Sequence, residues 1–583
     1  MSTNHYITTN QTSLSTGNGD NTFVAQGVSI NFGIDMRGSG DVGGGNQTVT
    51  IYGMLFDSLD DYFTTTSGED QVFIGATGSI STNWFGAIIF GGGGHVVVNA
   101  GTISSMSYGN AVEFVGSTGA DQSERDYVTN TGTISAISLH PDRQFADATI
   151  YAQNAAAITV TNSGSILSST GYAMALSEGD DVVINSGLIQ GGVNLGNGND
   201  SFDSRQGWIT GPILAGDGDD TLWGGKGDDT IVGGDGDDRI DGSIGADDMI
   251  GGFADDTYFV DNTGDIVDEN NAQYGGGGNN TIYSAISFDL GNPAQVIGTV
   301  QTLVLTGTAD INAIGTAQTE TITGNIGDNV IRGEGGKDTL RGGGGDDKLF
   351  GGNGGGNVLS GGAGEDTLRG GNGPDTLNGG SGADVMYGSA GNDTYVFDDL
   401  GDIANEAVAG SGGTDRILAS IGVSLADTVH VKGSIENLTL QGSAGIFGTG
   451  NTLANVIVGN AGSNRLDGRK GNDKLTGGAG ADRFTFTTAL STAANRDTIT
   501  DFKHGTDKIV LDNAVFKAFT KTGALPAASF AINTPKDAND FIVYNTTTGA
   551  LSYDRDGNGP AVSVQFAVLK GVPGLTQTDF LVI

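Results

Sequence analysis

Residues 215–259 read AGDGDDTLW, GGKGDDTIV, GGDGDDRID, GSIGADDMI and GGFADDTYF, five segments of nine residues in one unbroken register. The sixth position is Asp every time: Asp220, Asp229, Asp238, Asp247 and Asp256. The eighth is Leu222, Ile231, Ile240, Met249 and then Tyr258. Just upstream, LGNGNDSFD is a weaker version of the unit and contains Asp200. A fixed short period of this kind is the mark of a stacked architecture in which each unit buries its apolar side only against its neighbours.

The unit returns twice. From residue 333 to 396 the chain reads GEGGKDTLR, GGGGDDKLF, the ten-residue GGNGGGNVLS, GGAGEDTLR, GGNGPDTLN, GGSGADVMY and GSAGNDTYV, with Asp338, Asp347, Asp366, Asp375, Asp384 and Asp393 at the sixth position. The ten-residue member carries Gly356 and Asn357 where Asp is expected, so a site is weak or missing there. A short third array has Asn464, Asp473 and Asp482. The arrays belong to a larger duplication, because DDTYFVDNTGDIVDE (255–269) matches NDTYVFDDLGDIANE (392–406) and VQTLVLTG matches IENLTLQG further on.

Chemistry follows from residue type. Glycine tolerates positive φ and close backbone approach, so GGxG makes a tight turn whose carbonyls can face inward. The following Asp adds a carboxylate to the same concavity, and an all-oxygen donor set of this kind suits Ca²⁺ rather than Zn²⁺ or copper. The next three residues alternate polar and apolar, as in a half-buried strand. Stacked turns then form a parallel solenoid in which carboxylates repel one another until cations lie between them. The pattern GGxGxDxUx resembles the RTX (repeats-in-toxin) nonapeptide, a known Ca²⁺-binding repeat of parallel β-helices. That resemblance implies two nonapeptides per coil, ions held by the sixth-position Asp and Gly-turn carbonyls, and on the order of ten ions in all.

Composition narrows the function. Lys and Arg total 26 and Asp and Glu 68 in 583 residues, a formal net charge of −42. Such a chain is a poor partner for phosphate backbones or anionic membranes. It has no cysteine, hence no disulfide scaffold, thiolate site or cysteine nucleophile, and no apolar run long enough for a transmembrane segment. Hydrophobic residues make up 37%, and the 103 glycines recur beside Asp at fixed intervals, which argues for a folded body over a disordered acidic polymer.

The first two hundred residues carry a looser repeat: VVVNAGTIS, YVTNTGTIS, TVTNSGSIL and VVINSGLIQ, with Asn99, Asn130, Asn162 and Asn185 before an x-G turn. Alternating β-branched residues before a recurrent corner resemble a parallel β-helix of the kind found in adhesin and autotransporter passengers, and the Asn corners read as a structural ladder. This part is expected to run into the first array through GVNLGNGNDSFD without a linker. The opening MSTNHYITTNQTSLST lacks the basic and apolar regions of a Sec signal, while TGALSYDRDGNG and the ending TQTDFLVI are similar to the C-terminal extension of type I secreted proteins. No HExxH or GxSxG occurs, so the zinc protease and lipase chemistries of RTX relatives are not expected. The five histidines are scattered, and the best catalytic candidate is LHPDRQFAD with His140, Asp142 and Arg143.

The expectation is therefore all-β: an N-terminal parallel β-helix (1–195), two Ca-binding RTX β-roll modules (196–323 and 324–458) and a C-terminal RTX β-roll with the secretion signal (459–583). The functional expectation is a non-enzymatic Ca²⁺-folded structural protein, secreted by type I machinery to the cell surface of a Gram-negative bacterium. It would assemble with itself, as a surface-layer or matrix subunit, or bind cell-surface polysaccharide. The alternatives are an RTX adhesin, or a polysaccharide lyase or epimerase built on the β-helix.

Overall fold

In the computed structural model, described for residues 4–10, 14–15, 21–30, 34–35, 48–56, 59–60, 70–82, 86–91, 93–107, 110–115, 125–138, 148–153, 156–176, 178–491 and 493–583, the chain is all-β. The only helical pieces among these residues are two 3₁₀ turns, Ala527–Ser529 and Gln577–Asp579. Among the described residues no helix is long and apolar enough to cross a membrane. The fold is a parallel β-solenoid in two compact units, Met1–Thr306 and Gly307–Ile583. The LHPDRQFAD candidate, with His140, Asp142 and Arg143, lies outside the described residues.

In the first unit, one parallel sheet passes without a break from the looser coils into the array. Val96–Asn99 pairs with Asp126–Asn130, which pairs with Ile158–Asn162, and that strand with Val182–Asn185. Ser201–Asp203, Thr221–Trp223, Arg239–Asp241 and Thr257–Val260 then follow in the same register. A second sheet forms the opposite wall, with Leu188–Asn197, Ile213–Asp217, Thr230–Asp235 and Asp248–Phe253 stacked in parallel. The coil contracts on entering the array. Successive Asn corners are 31, 32 and 23 residues apart, and the array step is 18. Each coil of the array thus holds two nonapeptides, one on each wall.

The Asn corners are a closed hydrogen-bond ladder. Asn99 Nδ2 donates to Asn130 Oδ1 at 2.8 Å, Asn130 to Asn162 at 2.7 Å, Asn162 to Asn185 at 2.8 Å and Asn185 to Ser204 Oγ at 2.8 Å. Each Oδ1 of the four also accepts the amide of the Gly two residues on, at 3.1 to 3.2 Å. That Gly is obligatory because the coils are so close: a Cβ on Gly132 would lie 2.2 Å from the carbonyl oxygen of Gly101.

The core is one file of apolar side chains per wall. Leu222, Ile231, Ile240, Met249 and Tyr258 are fully buried, as are Leu340, Leu349, Leu359, Leu368, Leu377, Met386 and Tyr395 in the second unit. There the same two-wall winding runs through Thr339–Gly344, Val358–Ala363 and Thr376–Ser381 on one side and Lys348–Gly352, Thr367–Asn372 and Val385–Ala390 on the other. The second residue of the repeat keeps a left-handed backbone even where Gly is replaced, at Ser243, Glu334, Ser389 and Arg469. The turn is thus imposed by the stack, at a local cost of about 1–2 kcal/mol per residue.

The parallel pattern ends near the C-terminus. Ile542–Tyr544, Ala550–Tyr553 and Val564–Leu569 form an antiparallel meander, whose last strand pairs in parallel with Asp497–Ile499. Phe580–Val582 lies between Lys508–Leu511 and Gly523–Ala524, so it is an interior strand rather than a free edge.

Candidate metal centre

All fourteen sixth-position acids expected from the sequence are buried: Asp200, Asp220, Asp229, Asp238, Asp247, Asp256, Asp338, Asp347, Asp366, Asp375, Asp384, Asp393, Asp473 and Asp482. Each sits at the corner just before a strand, and the winding aligns them in files. In all of them except Asp229, Oδ1 accepts a backbone amide from the preceding coil. In the first unit these bonds run Asp181 to Asp200, Asp200 to Asp220, Asp220 to Asp238 and Asp238 to Asp256, at 2.7, 2.6, 2.9 and 3.0 Å. On the other wall Asp229 donates to Asp247 at 2.8 Å. In the second unit the files run Asn329, Asp347, Asp366, Asp384 and Asp338, Asn357, Asp375, Asp393.

The second carboxylate oxygen has a different environment. In twelve of the fourteen, all except Asp229 and Asp482, Oδ2 is buried with no hydrogen-bond donor. Asp229 Oδ2 accepts the Gly225 amide at 2.5 Å. The first Gly of the repeat makes room for this oxygen: a Cβ would lie 2.0 Å from Asp238 Oδ2 at Gly233, 2.1 Å from Asp366 Oδ2 at Gly361 and 1.9 Å from Asp384 Oδ2 at Gly379. Close by are the inward carbonyls of the next turn; the Gly361 Cβ position is also 2.5 Å from the Gly379 oxygen.

Burial without a countercharge raises the pKa values of these acids. Loss of solvent pushes Asp200, Asp238 and Asp256 up to about 8, against the pull of the backbone amide each accepts. The same cause takes Asp220, Asp247, Asp338, Asp347, Asp375 and Asp384 up to about 7 and Asp229 to about 6. Asp366, Asp393, Asp473 and Asp482 are raised as well, again chiefly by burial. Neighbouring carboxylates add to the shift, for example Asp366 and Asp402 at Asp384.

Files of buried acids with one oxygen held by an amide and the other without a donor fit hard divalent cations. The donor set is oxygen throughout and has no sulfur or imidazole, which favours Ca²⁺. Asp Oδ2 and the Gly-turn carbonyls would hold the ion, and its charge would offset the repulsion along the file. Asn357 shows the ladder without the charge: Oδ1 accepts the Asp338 amide at 2.9 Å, while Nδ2 donates to the Gly370 carbonyl at 3.4 Å.

The files also include acids outside the nonapeptides. Asp265 and Asp402 accept the amides of Asp247 and Asp384, and Asp497 and Asp507 those of Asp473 and Asp482. They share one sequence signal with the array acids: an Asp followed by a polar or β-branched residue and then a buried apolar one, as in Asp497-Thr498-Ile499. The histidines have structural partners instead. His95 is buried against Phe90 with ring centroids 4.5 Å apart, His430 Nδ1 meets Asp427 at 2.8 Å, and His504 Nδ1 meets the buried Asp579 at 2.7 Å.

No curated protein matches the sequence. The family model for the RTX calcium-binding nonapeptide repeat matches residues 214–249, 223–258, 314–349, 323–358, 360–395 and 449–484, the segments that carry the Asp files. Repeat, winding and buried acids coincide: the chain carries RTX-type calcium-binding nonapeptide repeats, wound as turns of a parallel β-roll.

Proposed function

We propose that the protein is a secreted structural component of the bacterial cell surface, folded by Ca²⁺ outside the cell and assembling with itself as a surface-layer or matrix subunit. The carrying observation is the continuous file of buried acids whose second oxygen has no donor. Such a file destabilises the solenoid where free Ca²⁺ is scarce and completes it where Ca²⁺ is millimolar, because binding to the folded state alone adds to its stability. This suits a chain that leaves the cell unfolded through type I machinery, with the 542–583 segment as the export address; RTX-repeat proteins are typically secreted.

Self-assembly is supported by apolar side chains exposed on the first unit, including Tyr6, Tyr52, Met106, Tyr127, Ile137 and Trp208. A second reading, an adhesin, is favoured by the outer face of the first array. Arg239 lies over Trp223 and Phe259, and Phe259 stacks on Tyr283 with ring centroids 5.2 Å apart. Flat aromatic rows of this kind suit sugar rings. Calcium titration of the purified full chain, followed by sedimentation and electron microscopy, separates the two. Ordered assemblies that dissolve in EGTA are expected; monomers at saturating Ca²⁺ would refute the structural role.

A further inference from the structure

At the end of the second array the file meets acids that belong to no nonapeptide. Asp393 accepts the Asp375 amide at 2.8 Å and gives its own amide to Asp415 Oδ1 at 2.8 Å, one 22-residue coil later. Glu406 follows the strand Ile403–Asn405, and its Oε1 accepts the hydroxyl hydrogen of the fully buried Tyr395. The Tyr395 oxygen in turn accepts the Gly388 amide at 2.7 Å, which fixes the ring. Carboxylate oxygens of Asp393, Glu406 and Asp415 lie within 4.8 Å of one another. The three residues are only 1%, 8% and 2% exposed. Oδ2 of Asp393 and Oε2 of Glu406 have no hydrogen-bond donor, and among the described residues no basic side chain forms an ion pair with any of the three.

The first array ends in the same way. Tyr258 donates to Glu269 Oε1, Asp256 gives its amide to Asn280 Oδ1 at 2.7 Å, and Asp256 Oδ2 and Glu269 Oε2 have no donor. Tyr, Glu and the array-end Asp recur at the duplication's spacing, with Asn280 where the second copy has Asp415. A solvated acidic surface would not bury its charges twice behind the same tyrosine. Three buried carboxylates without a countercharge are costly unless a cation joins them.

We propose that Asp393, Glu406 and Asp415 form a cation site separate from the nonapeptide turns, and that Asp256, Glu269 and Asn280 form a weaker copy of it. The oxygen-only donors select a hard divalent ion, Ca²⁺ in the surroundings that fill the arrays. The inference deepens the calcium reading and rests on it for the identity of the ion. Glu406 reaches back from beyond the last repeat, so the ion ties the non-repeating coil to the array and closes the end of the file. Asn280 in place of Asp415 removes one charge from the first copy, and calcium affinity follows the charge count of the ligands.

The test uses the full-length chain, with ⁴⁵Ca equilibrium dialysis for stoichiometry and Tb³⁺ luminescence excited through tyrosine. Asp415→Asn is expected to fold, since Asn280 already fills that ladder position in the first copy. It should weaken one ion by about tenfold or more. Glu406→Gln should remove one ion per chain, and Tyr395→Phe should remove part of the sensitised Tb³⁺ emission. Unchanged stoichiometry, affinity and emission in Asp415→Asn and Glu406→Gln, with the remaining calcium uptake intact, would overturn the site. A wild-type chain that takes up no calcium would instead overturn the array reading, and the site with it.

Discussion

Asp384 can be used to separate the two tasks of an array acid. Its Oδ1 accepts the Asp366 amide at 2.8 Å, its Oδ2 has no donor, and it is fully buried. Burial raises its carboxyl to about 7, whereas an unfolded Asp titrates near 3.9. The folded apo chain therefore binds the proton more tightly than the unfolded one. The stability this gives is complete below about pH 4 and is lost as pH rises through about 7. Asp384→Asn keeps an oxygen for the Asp366 amide, as Asn357 does for Asp338, and removes the titrating group. In chelator at pH 8 it should be more stable than wild type by on the order of 1–3 kcal/mol, the cost of an unsatisfied buried polar group. That corresponds to a rise in Tm of roughly 2–10 °C for a unit of this size. Below about pH 4 the difference should vanish. In millimolar Ca²⁺ the sign should invert, because a ligand carboxylate has been lost. Asp384→Ala also orphans the Asp366 amide and should be about 1–3 kcal/mol less stable than Asp384→Asn in every condition. Thermal melts by circular dichroism over this grid of pH and calcium are the assay. If Asp384→Asn destabilises in chelator at pH 8 as much as Asp384→Ala does, the carboxylate is only a hydrogen-bond link and the cation argument fails.

Two further outcomes follow from the packing. Gly379→Ala should lower stability by about 1–3 kcal/mol, the usual range for overpacking, because its Cβ would sit 2.4 Å from Asp384 Cβ as well as against the carboxylate. Gly355→Ala, whose Cβ meets nothing within 4 Å, is the matched control, and equal melting of the two variants would contradict the close approach. Asn130→Ala breaks bonds to Asn99, Asn162 and Ser165 and should cost about 2–4 kcal/mol by calorimetry. That loss should be the same in calcium and in EGTA, since no titrating group is involved.

What could be read from the sequence was whatever the period itself carries. Position six fixes which acid enters the file, position eight which side chain enters the core, and the Asn-x-Gly corner which amide enters the ladder. Spacing stops being informative where the coil lengthens. Asp415, Asp497 and Asp507 occupy the same corner as Asp393, Asp473 and Asp482, but 22, 24 and 25 residues on. Only the buried apolar residue two places on separates them from exposed acids such as Asp219 or Asp237. Those fifth-position acids bond the other way along the stack, Asp219 Oδ1 accepting the Asp237 amide of the following coil. Glu269 and Glu406 were equally hidden, because their place depends on a buried tyrosine eleven residues earlier. The antiparallel meander near the C-terminus has alternating residues like any other strand here, and direction is set by its short turns rather than by its pattern.

The two ladders differ in what they leave unpaired. At an Asn corner each amide both donates and accepts, as Asn130 does between Asn99 and Asn162, so the ladder is neutral and complete in itself. At an Asp corner Oδ1 makes the corresponding link, to a backbone amide of the coil before, and a charge and a second oxygen remain. The coil at that point is also at its shortest, 18 residues against 31 or 32. Each nonapeptide then buries its eighth-position side chain, such as Leu222 or Ile231, with Val232 and Ile250 adding a second in two of them, where a longer coil such as that of Val128 and Ile134 also buries side chains from a further strand, Val112–Val115 or Ile150–Gln153. Less apolar area leaves the water per residue in the arrays, so hydrophobic burial supports them less. A charge file along a thin core is stable only with countercharge inside it, whereas the thicker coils carry their buried acids, Asp126 and Asp181, beside a larger apolar core. Where the Asn ladder ends at Ser204 and the coil shortens, the Asp file that passes through Asp181 continues alone, and part of the stability of the solenoid passes from its core to the ion concentration of its surroundings.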